Sequence, residues 1–448
     1  MTLSSRILLV QRAEQPLAGI GARLASWGWG CASCASGDEM LDFLGKQSFD
    51  VILVDPGVEE SMAIVSWLKA RPGTRRIPLV TVAIEDPRVV AANSLALGAD
   101  DVVVLPVDDA ELYARIRALS RLRVMELERI RREAVLREFG VVREEGGIGV
   151  PAIDKIGLLL IGPAGQEQVQ VVTALGGAAA IAYAETGPGA LERLRRYDLE
   201  VAVITGADDP AEVRSLVRAI RADGALYHLP VMLIARGELF PERAEPFEWG
   251  TSDVLFHPFP PEVLRLRVQG WVRQQRLRRR LRGQLANEAV PPTVDRLTLL
   301  YGHGFLHRYL EHQIAAARSV GARLAVASFA VSGMSRINSQ LGFVFGDHLL
   351  AELGGLIGRL TRAEDLAARY DGDRFCAVLD GAGEDEAMAV AERIARAAAA
   401  FRLRLGERQE VELDLRYGVA ELSPEDDADV LIRRAFERAA SESFRRAS

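Results

Sequence analysis

Apolar runs alternate with amphipathic stretches through the first 280 residues, and the whole rhythm occurs twice. The runs are residues 7–10, 51–54, 77–82 and 102–105 in the first set, and 156–161, 201–204, 229–234 and 254–256 in the second. Short apolar runs separated by helical patterns predict strands that alternate with helices, and therefore a parallel sheet. We predict two tandem α/β domains, each built on a doubly wound parallel sheet.

The last third of the chain has a different pattern around residues 362–379. Arg362 and Asp365 form a polar pair, and a short apolar step follows them. Residues 371–374 then read as a tight turn, before a second apolar run at 376–379. This order predicts a helix end, a strand, a hairpin turn and a second strand.

At 448 residues the chain is too long for one hydrophobic core. The glycine-rich residues 146–151 and the segment 287–292 are natural breaks. We therefore predict domains over residues 1–145, 152–285 and 293–448, with a connector helix at the end of the first.

Two arginine-rich stretches, residues 115–145 and 263–285, have helical spacing. We interpret the first as the last helix of its domain running into the connector, with its charges solvated in i,i+4 pairs. The second has an apolar face that includes Leu264, Val268 and Leu277. We predict that its arginines lie on a solvated, salt-bridged interdomain helix rather than on a surface for nucleic acid or lipid.

Composition narrows the function classes further. The net charge of −7 carries no nucleic-acid signature. No run approaches the roughly 18 apolar residues of a membrane span, so we predict none. Three cysteines are too few for a disulfide framework, and we interpret Cys31 and Cys34 as ordinary thiols on a strand. These features predict a cytoplasmic protein with no metal site at Cys31 and Cys34.

Asp55 directly follows an apolar run, at the strand end where parallel sheets collect ligands. This layout resembles a response-regulator receiver, a flavodoxin-like domain, with Asp55 at the phosphoacceptor position. Receivers hold Mg²⁺ with an acidic pair, and here those positions are Gln11 and Arg12. Ala83 and Leu105 replace the expected hydroxyl and lysine. Since phosphoryl transfer needs these groups, we predict that Asp55 is vestigial, with phosphorylation as the alternative.

The second domain resembles a receiver with no phosphorylation chemistry. Gly162 and Pro163 stand at the positions of the acidic pair, and Thr205 stands at the position of the phosphoacceptor. Ala235 and His257 stand at the positions of the hydroxyl residue and the lysine. We interpret His257 as structural rather than catalytic. A sheet that keeps its apolar core but lacks the residues for phosphorylation is typical of a domain that serves in dimerisation or docking.

The turn at 371–374, Asp-Gly-Asp-Arg, resembles the signature of the GGDEF family of diguanylate cyclases with two positions changed. Further markers of that family match residues 295–300, where the family has its opening motif, and residues 337–338, 346–347 and 417–420. The resemblance implies a nucleotidyl-cyclase-like α/β domain with a mostly antiparallel sheet, which acts as a homodimer. Together with the two receivers, it gives the receiver–receiver–GGDEF order of PleD-type regulators.

The resemblance also implies where the catalytic groups should be, and several are missing. Ala330 replaces a metal-binding aspartate, and Arg374 replaces an acidic residue of the signature. Ser335 and Ser443 stand at lysine positions. Mg²⁺ requires hard oxygen ligands, and two like charges about 4 Å apart repel by roughly 4 kcal/mol at an effective dielectric of 20. We therefore predict no catalytic residues and no catalytic metal.

A binding site is predicted to survive. In the family, an RxxD motif nine residues before the signature forms the inhibitory site for cyclic di-GMP, and here Arg362 and Asp365 match it. Arg393 matches the third ligand. Arginine can donate to guanine O6 and N7 or to phosphate, and a carboxylate can accept from guanine N1 and N2. The family's guanine pocket keeps Asn338, Asp347 and Asp373 as a residual site.

These features predict a cyclic di-GMP-binding effector without catalytic activity, similar to the PopA-like degenerate branch of the PleD-type proteins. That similarity implies recruitment to a cell pole, protein partners such as protease adaptors or polar localisation factors, and a role in cell-cycle control. Two alternatives stay open: a weak, product-inhibited diguanylate cyclase, and a dimeric scaffold that needs no nucleotide. Charge reversal at Arg362 should silence the effector, raise the output of the cyclase and leave the scaffold unchanged.

Overall fold

The structure is a computed structural model. It describes residues 6–12, 17–58, 60–83, 87–140, 155–185, 187–206, 208–223, 225–283, 293–400, 402–405, 409–412 and 414–446. The predicted breaks at 146–151 and 287–292 lie outside the described residues, so the three domain boundaries stay a prediction. The chain forms two compact units, one of residues 4–126 with 148–277 and the other mainly of residues 127–147 with 278–448.

The first compact unit contains two five-stranded parallel sheets. The strands of the first sheet are β1 (Arg6–Val10), β2 (Gly30–Cys34), β3 (Val51–Val54), β4 (Leu79–Ala83) and β5 (Asp101–Val104). The helices that follow them are α1 (Leu17–Ser26), α2 (Gly37–Lys46), α3 (Ser61–Ala70), α4 (Pro87–Leu97) and α5 (Asp109–Glu138). The strand order is β2-β1-β3-β4-β5, which confirms the predicted doubly wound sheet.

The second sheet repeats this topology. Its strands are β6 (Ile156–Ile161), β7 (Ala179–Ala184), β8 (Val201–Ile204), β9 (Val231–Arg236) and β10 (Asp253–His257). Its helices are α6 (Gln166–Leu175), α7 (Gly187–Arg196), α8 (Pro210–Ala222), α9 (Glu245–Glu248) and α10 (Pro261–Gly283). The order β10-β9-β8-β6-β7 is that of the first sheet read from the other edge.

Local sequence explains several of these elements. All four residues of β3 are buried, as expected for a central parallel strand covered on both faces. Ser36 caps α2, since its hydroxyl accepts from the Glu39 N–H while the Glu39 carboxylate accepts from the Ala35 N–H at 2.8 Å. The predicted strand at 77–82 begins two residues late, at Leu79, directly after Pro78, which has no N–H to donate to a ladder.

The two sheets of this unit are joined by buried ion pairs with matching positions. Arg115 of α5 binds Asp101 at 2.7 Å, and Arg267 of α10 binds Asp253 at 3.1 Å. Glu111 accepts from both arginines at 2.9 Å. Burial raises the pKa of Asp253 to about 7. The prediction of a solvated α10 is therefore wrong for Arg267, although the predicted apolar face is buried.

The second compact unit is built on an antiparallel sheet. Its strands are β11 (Leu324–Val331), β12 (Leu366–Asp371), β13 (Arg374–Asp380) and β16 (Leu415–Glu421), with a separate hairpin of β14 (Arg402–Leu405) and β15 (Gln409–Glu412). Its helices are α11 (His303–Val320), α12 (Met334–Leu341), α13 (Phe343–Leu360), α14 (Glu384–Ala400) and α15 (Ala428–Arg446). The order β12-β13-β11-β16 is antiparallel throughout, as predicted.

The sheet of this unit has a core on each face. Residues of α12, α13 and α14 cover one face, and residues of α11 and α15 cover the other. The second core also contains Val135 and Leu136, which lie in the last part of α5. The first part of the same helix supplies Leu112 and Ile116 to the core of the first parallel sheet. The predicted connector is therefore helical as far as Glu138 and is buried on one side.

Candidate ligand-binding site

Arg362 and Asp365 lie in a tight turn between α13 and β12. The turn is closed by two hydrogen bonds, from the Asp365 N–H to the Arg362 carbonyl at 3.2 Å and from the Arg362 N–H to Oδ2 of Asp365 at 3.3 Å. The two residues lie just beyond α13, which ends at Leu360, as the predicted helix end requires. The Arg362 side chain is exposed, whereas Asp365 is only 5% exposed.

Arg393 reaches the same end of α13. It lies on α14, and its guanidinium donates to the carbonyl of Leu360 at 2.9 Å. That carbonyl is one of the last four of α13, and these receive no hydrogen bond from an N–H group within the helix. The structure therefore brings all three predicted ligand residues to the carboxyl end of one helix, with two guanidinium side chains exposed beside a buried carboxyl group.

The electrostatics of Asp365 are unusual for a carboxyl group. Burial raises its pKa to about 8, the neighbouring Glu364 adds to the rise, and Arg362 opposes it. The free protein therefore holds Asp365 largely protonated at neutral pH. A partner that donates N–H groups to this side chain would favour its ionised form.

An ion pair holds the signature hairpin in place. Arg369 of β12 binds both carboxylate oxygens of Asp295 at 3.1 Å and donates to the Gly372 carbonyl at 2.9 and 2.6 Å. Thr298 donates to Asp295 at 2.8 Å from its N–H and its hydroxyl. Burial alone would raise the pKa of Asp295, but these bonds lower it overall. The opening motif at 295–298 thus orients the turn at 371–374.

Ala330 occupies the predicted metal position and is flanked by cations. In the sheet its cross-strand partners are Arg374 on β13 and Arg416 on β16. Direct cross-strand partners project to the same face, so both arginines border this position. Alanine offers no side-chain oxygen, and divalent cations bind hard oxygen ligands. These residues do not fit a Mg²⁺ site.

Arg374 itself is paired, which the sequence did not indicate. Its guanidinium binds the Asp371 carboxylate, with Nε 2.6 Å from Oδ1. It also lies 5.0 Å from the ring centres of Tyr370 and Phe436. The repulsion expected between Arg374 and a cation is therefore reduced, but not removed, by Asp371.

The residues of the predicted guanine pocket are only partly brought together. Asn338 on α12 lies against Gly346, where an added Cβ would be 2.0 Å from its Oδ1, and Asp347 comes next on α13. That Oδ1 is buried and has no hydrogen-bond partner among the described residues. Asp373 lies in the signature turn, where its carbonyl accepts from the Val331 N–H at 3.2 Å. The side chain of Ser443 lies outside the description.

Comparison with known proteins agrees with this architecture. Residues 292–442 match the model of the family described as "Diguanylate cyclase, GGDEF domain". Response regulator PleD of Caulobacter vibrioides is 26% identical over 441 residues, which cover 97% of this chain and 96% of PleD. Over nearly its whole length the chain is thus similar to PleD-type receiver–receiver–GGDEF proteins. This similarity supports a role in cyclic di-GMP signalling.

Two further relatives match the GGDEF domain alone. Diguanylate cyclase DosC of Escherichia coli is 31% identical over 144 residues, or 32% of this chain and 31% of DosC. The solved GGDEF domain of DgcB from Caulobacter crescentus, in complex with cyclic di-GMP, is 22% identical. That match has a TM-score of 0.33 and covers 34% of this chain and 87% of the DgcB chain.

In the first receiver, Arg12 occupies the space beside Asp55. Asp55 is fully buried, and its Oδ1 accepts from the Gly57 N–H at 2.8 Å. Nε of Arg12 lies 4.0 Å from the other carboxylate oxygen. A Cβ added to Gly57 would meet Nη2 of Arg12 at 1.9 Å, so the guanidinium packs directly over this loop. The vestigial role of Asp55 stays a prediction, with phosphorylation as the alternative.

In the second receiver, a glutamate that sequence reasoning missed reaches the same edge of the sheet. Oε2 of Glu167 accepts from the Gly206 N–H at 2.6 Å, and Oε1 lies 3.4 Å from Nε2 of His257. The side chain of Thr205 is buried beside this loop. This geometry favours the interpretation of His257 as a structural partner, here of Glu167.

Sequence reasoning also missed Arg132, which contacts the RxxD turn. It donates to the carbonyls of Ala363 and Asp365 from the second half of α5. The i,i+4 spacing of Glu128 and Arg132 was visible, but both were predicted to be solvated, and both are buried.

No helix within the described ranges is long and apolar enough to cross a membrane.

Proposed function

We propose that this protein is a cyclic di-GMP effector whose GGDEF domain makes no cyclic di-GMP. The observation that carries the proposal is the convergence of Arg362, Asp365 and Arg393 at the carboxyl end of α13, in a domain where arginines flank Ala330. The domain thus keeps the groups for binding the dinucleotide and lacks the oxygen ligand for a catalytic metal.

The recognition chemistry follows from the three side chains. The Asp365 carboxylate accepts from N1 and N2 of a guanine, and an exposed guanidinium donates to O6 and N7 of the same base. The second guanidinium pairs with a phosphate of the dianionic ligand. The side chains of Asp365 and Arg393 are already held at the end of α13, so these two need little ordering on binding.

The effector role includes protein partners. By its resemblance to PopA-like proteins, we propose that the ligand-bound form recruits protease adaptors or polar localisation factors and acts in the cell cycle. Homodimerisation, a cytoplasmic location and recruitment to a cell pole belong to the same proposal. The receiver sheets, which keep their cores, are the surfaces we assign to these partners.

The experiment is a calorimetric titration of cyclic di-GMP into the full chain, with a GTP turnover assay alongside. We expect binding in the parent, its loss in Arg362→Ala and in Arg393→Ala, and no turnover. Arg396→Ala is the matched control, since Arg396 is exposed on the same helix as Arg393 and, among the residues that the structure describes, donates only to the Glu392 carbonyl of its own helix. Turnover in the parent would make the protein a cyclase, and absence of both binding and turnover would leave a scaffold.

A further inference from the structure

The second half of α5 carries an ion pair that is almost completely buried. The side chains of Glu128 and Arg132 are 1% and 3% exposed, and Nε of Arg132 donates to Oε1 of Glu128. The hydroxyl of Tyr309 donates to the same carboxylate at 2.9 Å. A buried ion pair stabilises a fold poorly in comparison with apolar packing, unless its remaining hydrogen bonds are satisfied. The partners of the remaining hydrogen bonds therefore decide which parts of the fold this pair stabilises.

The remaining donors of Arg132 lead to the ligand site. Its Nη1 donates to the Leu281 carbonyl at 2.9 Å. Its Nη2 donates to the carbonyls of Ala363 at 2.9 Å and of Asp365 at 2.8 Å. The last two carbonyls belong to the turn that carries Arg362 and Asp365. One planar guanidinium thus joins α5, the end of α10 and the RxxD turn.

These bonds are the stronger restraints on the turn. The turn's own two hydrogen bonds measure 3.2 and 3.3 Å, whereas the bonds from Arg132 measure 2.8 and 2.9 Å and carry a full positive charge. Charge-assisted hydrogen bonds are shorter and about twice as strong as neutral ones. Arg132 therefore restrains the Asp365 backbone more strongly than the turn's own hydrogen bonds do.

We propose that Arg132 is the positioning residue of the cyclic di-GMP site, and that through it the occupancy of the RxxD turn is transmitted to α5. The proposal rests on the proposed function. A guanine that engages the Asp365 side chain acts on the residue whose carbonyl Arg132 holds. Since Arg132 lies on α5, any change in how Arg132 is held acts on this helix.

A purely structural role for Arg132 makes different predictions. If Arg132 only stabilised the fold, its substitution would lower the thermal stability and leave the ligand affinity of the folded protein unchanged. A positioning role would weaken binding in a protein that is still folded. It would also remove the effect of the ligand on the amide protection of α5, which a structural role does not predict.

The test uses the full chain with Arg132→Lys, which keeps the charge beside Glu128 but cannot span all four acceptors. Arg137→Lys is the matched control, because Arg137 is on the same helix, is half exposed and lies 4.0 Å from Glu133. Should Arg132→Lys fail to fold, the double variant Glu128→Gln/Arg132→Met replaces both charges with neutral groups of similar size. The readouts are the calorimetric affinity for cyclic di-GMP and hydrogen exchange of residues 127–138 and 361–366 with and without the ligand.

We expect Arg132→Lys to bind cyclic di-GMP about tenfold more weakly than the parent, and Arg137→Lys to bind within about twofold. The parent should gain protection at residues 127–138 on binding, and Arg132→Lys should not. Parental affinity and protection in a folded Arg132 variant would overturn this inference alone. No binding in the parent would overturn the proposed function and this inference with it.

Discussion

We expect the affinity for cyclic di-GMP to rise as the pH is raised to about 8, because the proposed binding mode requires Asp365 in its ionised form. Burial holds the pKa of this carboxyl group near 8 in the free protein. The ionised fraction is then about one tenth at pH 7 and about one hundredth at pH 6. The apparent affinity scales with the fraction of the protein that is competent to bind. Compared with the fully ionised protein, the affinity should therefore be about tenfold lower at pH 7 and about 100-fold lower at pH 6.

The sign of this dependence follows from the direction of the pKa shift. A raised pKa means that the free protein keeps its proton as the pH rises through neutrality, and binding must release it. Calorimetry in buffers with different ionisation enthalpies should therefore detect about one proton released per site near pH 7. Asp365→Asn is the control, with weaker binding that does not change over this range. An affinity that stays constant within about twofold from pH 6 to 8 would refute the reasoning.

The same shift affects stability, and three further variants test other parts of the structure. The parent should lose stability relative to Asp365→Asn as the pH rises from about 4, the usual pKa of an aspartate in an unfolded chain, to about 8, so their thermal unfolding midpoints should be closest below pH 4 and differ by a constant amount above pH 8. Arg362→Glu should reduce cyclic di-GMP affinity at least about 100-fold without changing the unfolding midpoint, because its side chain is exposed. Ala330→Asp alone should produce no GTP turnover, because two arginines flank the new carboxylate, and measurable turnover would contradict this. Arg12→Asp should create Mg²⁺ binding next to Asp55, detectable by titration calorimetry, that the parent lacks.

The two receiver-like domains have fully packed central strands, and other side chains occupy the predicted phosphorylation sites at the strand ends. Every strand residue of β3 and β8 is buried. At the strand ends, Arg12 lies beside Asp55 and Glu167 lies beside His257, where a receiver would hold a metal and a phosphoryl group. In the first case a cation covers the carboxylate, and in the second a carboxylate is already present. These contacts support the proposal that the sheets carry surfaces for partner proteins rather than exchange phosphate.

The fold followed from local patterns in the sequence. Continuous apolar runs such as residues 51–54 predicted central parallel strands, since both faces of such strands are covered. The hairpin at 371–374 was predicted from its glycine and its flanking apolar runs, and β12 and β13 form it. The position of the RxxD motif relative to that turn also came directly from counting residues. These features depend on neighbours within a few positions along the chain.

The tertiary structure alone decided how the site is supported. The Glu128–Arg132 pair has the same i,i+4 spacing as a solvated pair, so its burial could not be predicted. Arg132 acts on carbonyls 231 and 233 residues away along the chain, and backbone carbonyls leave no mark in a sequence. Likewise, the arginines beside Ala330 became neighbours only through the register of three strands. Local spacing determines which elements form, whereas burial and register depend on contacts between segments far apart in the chain.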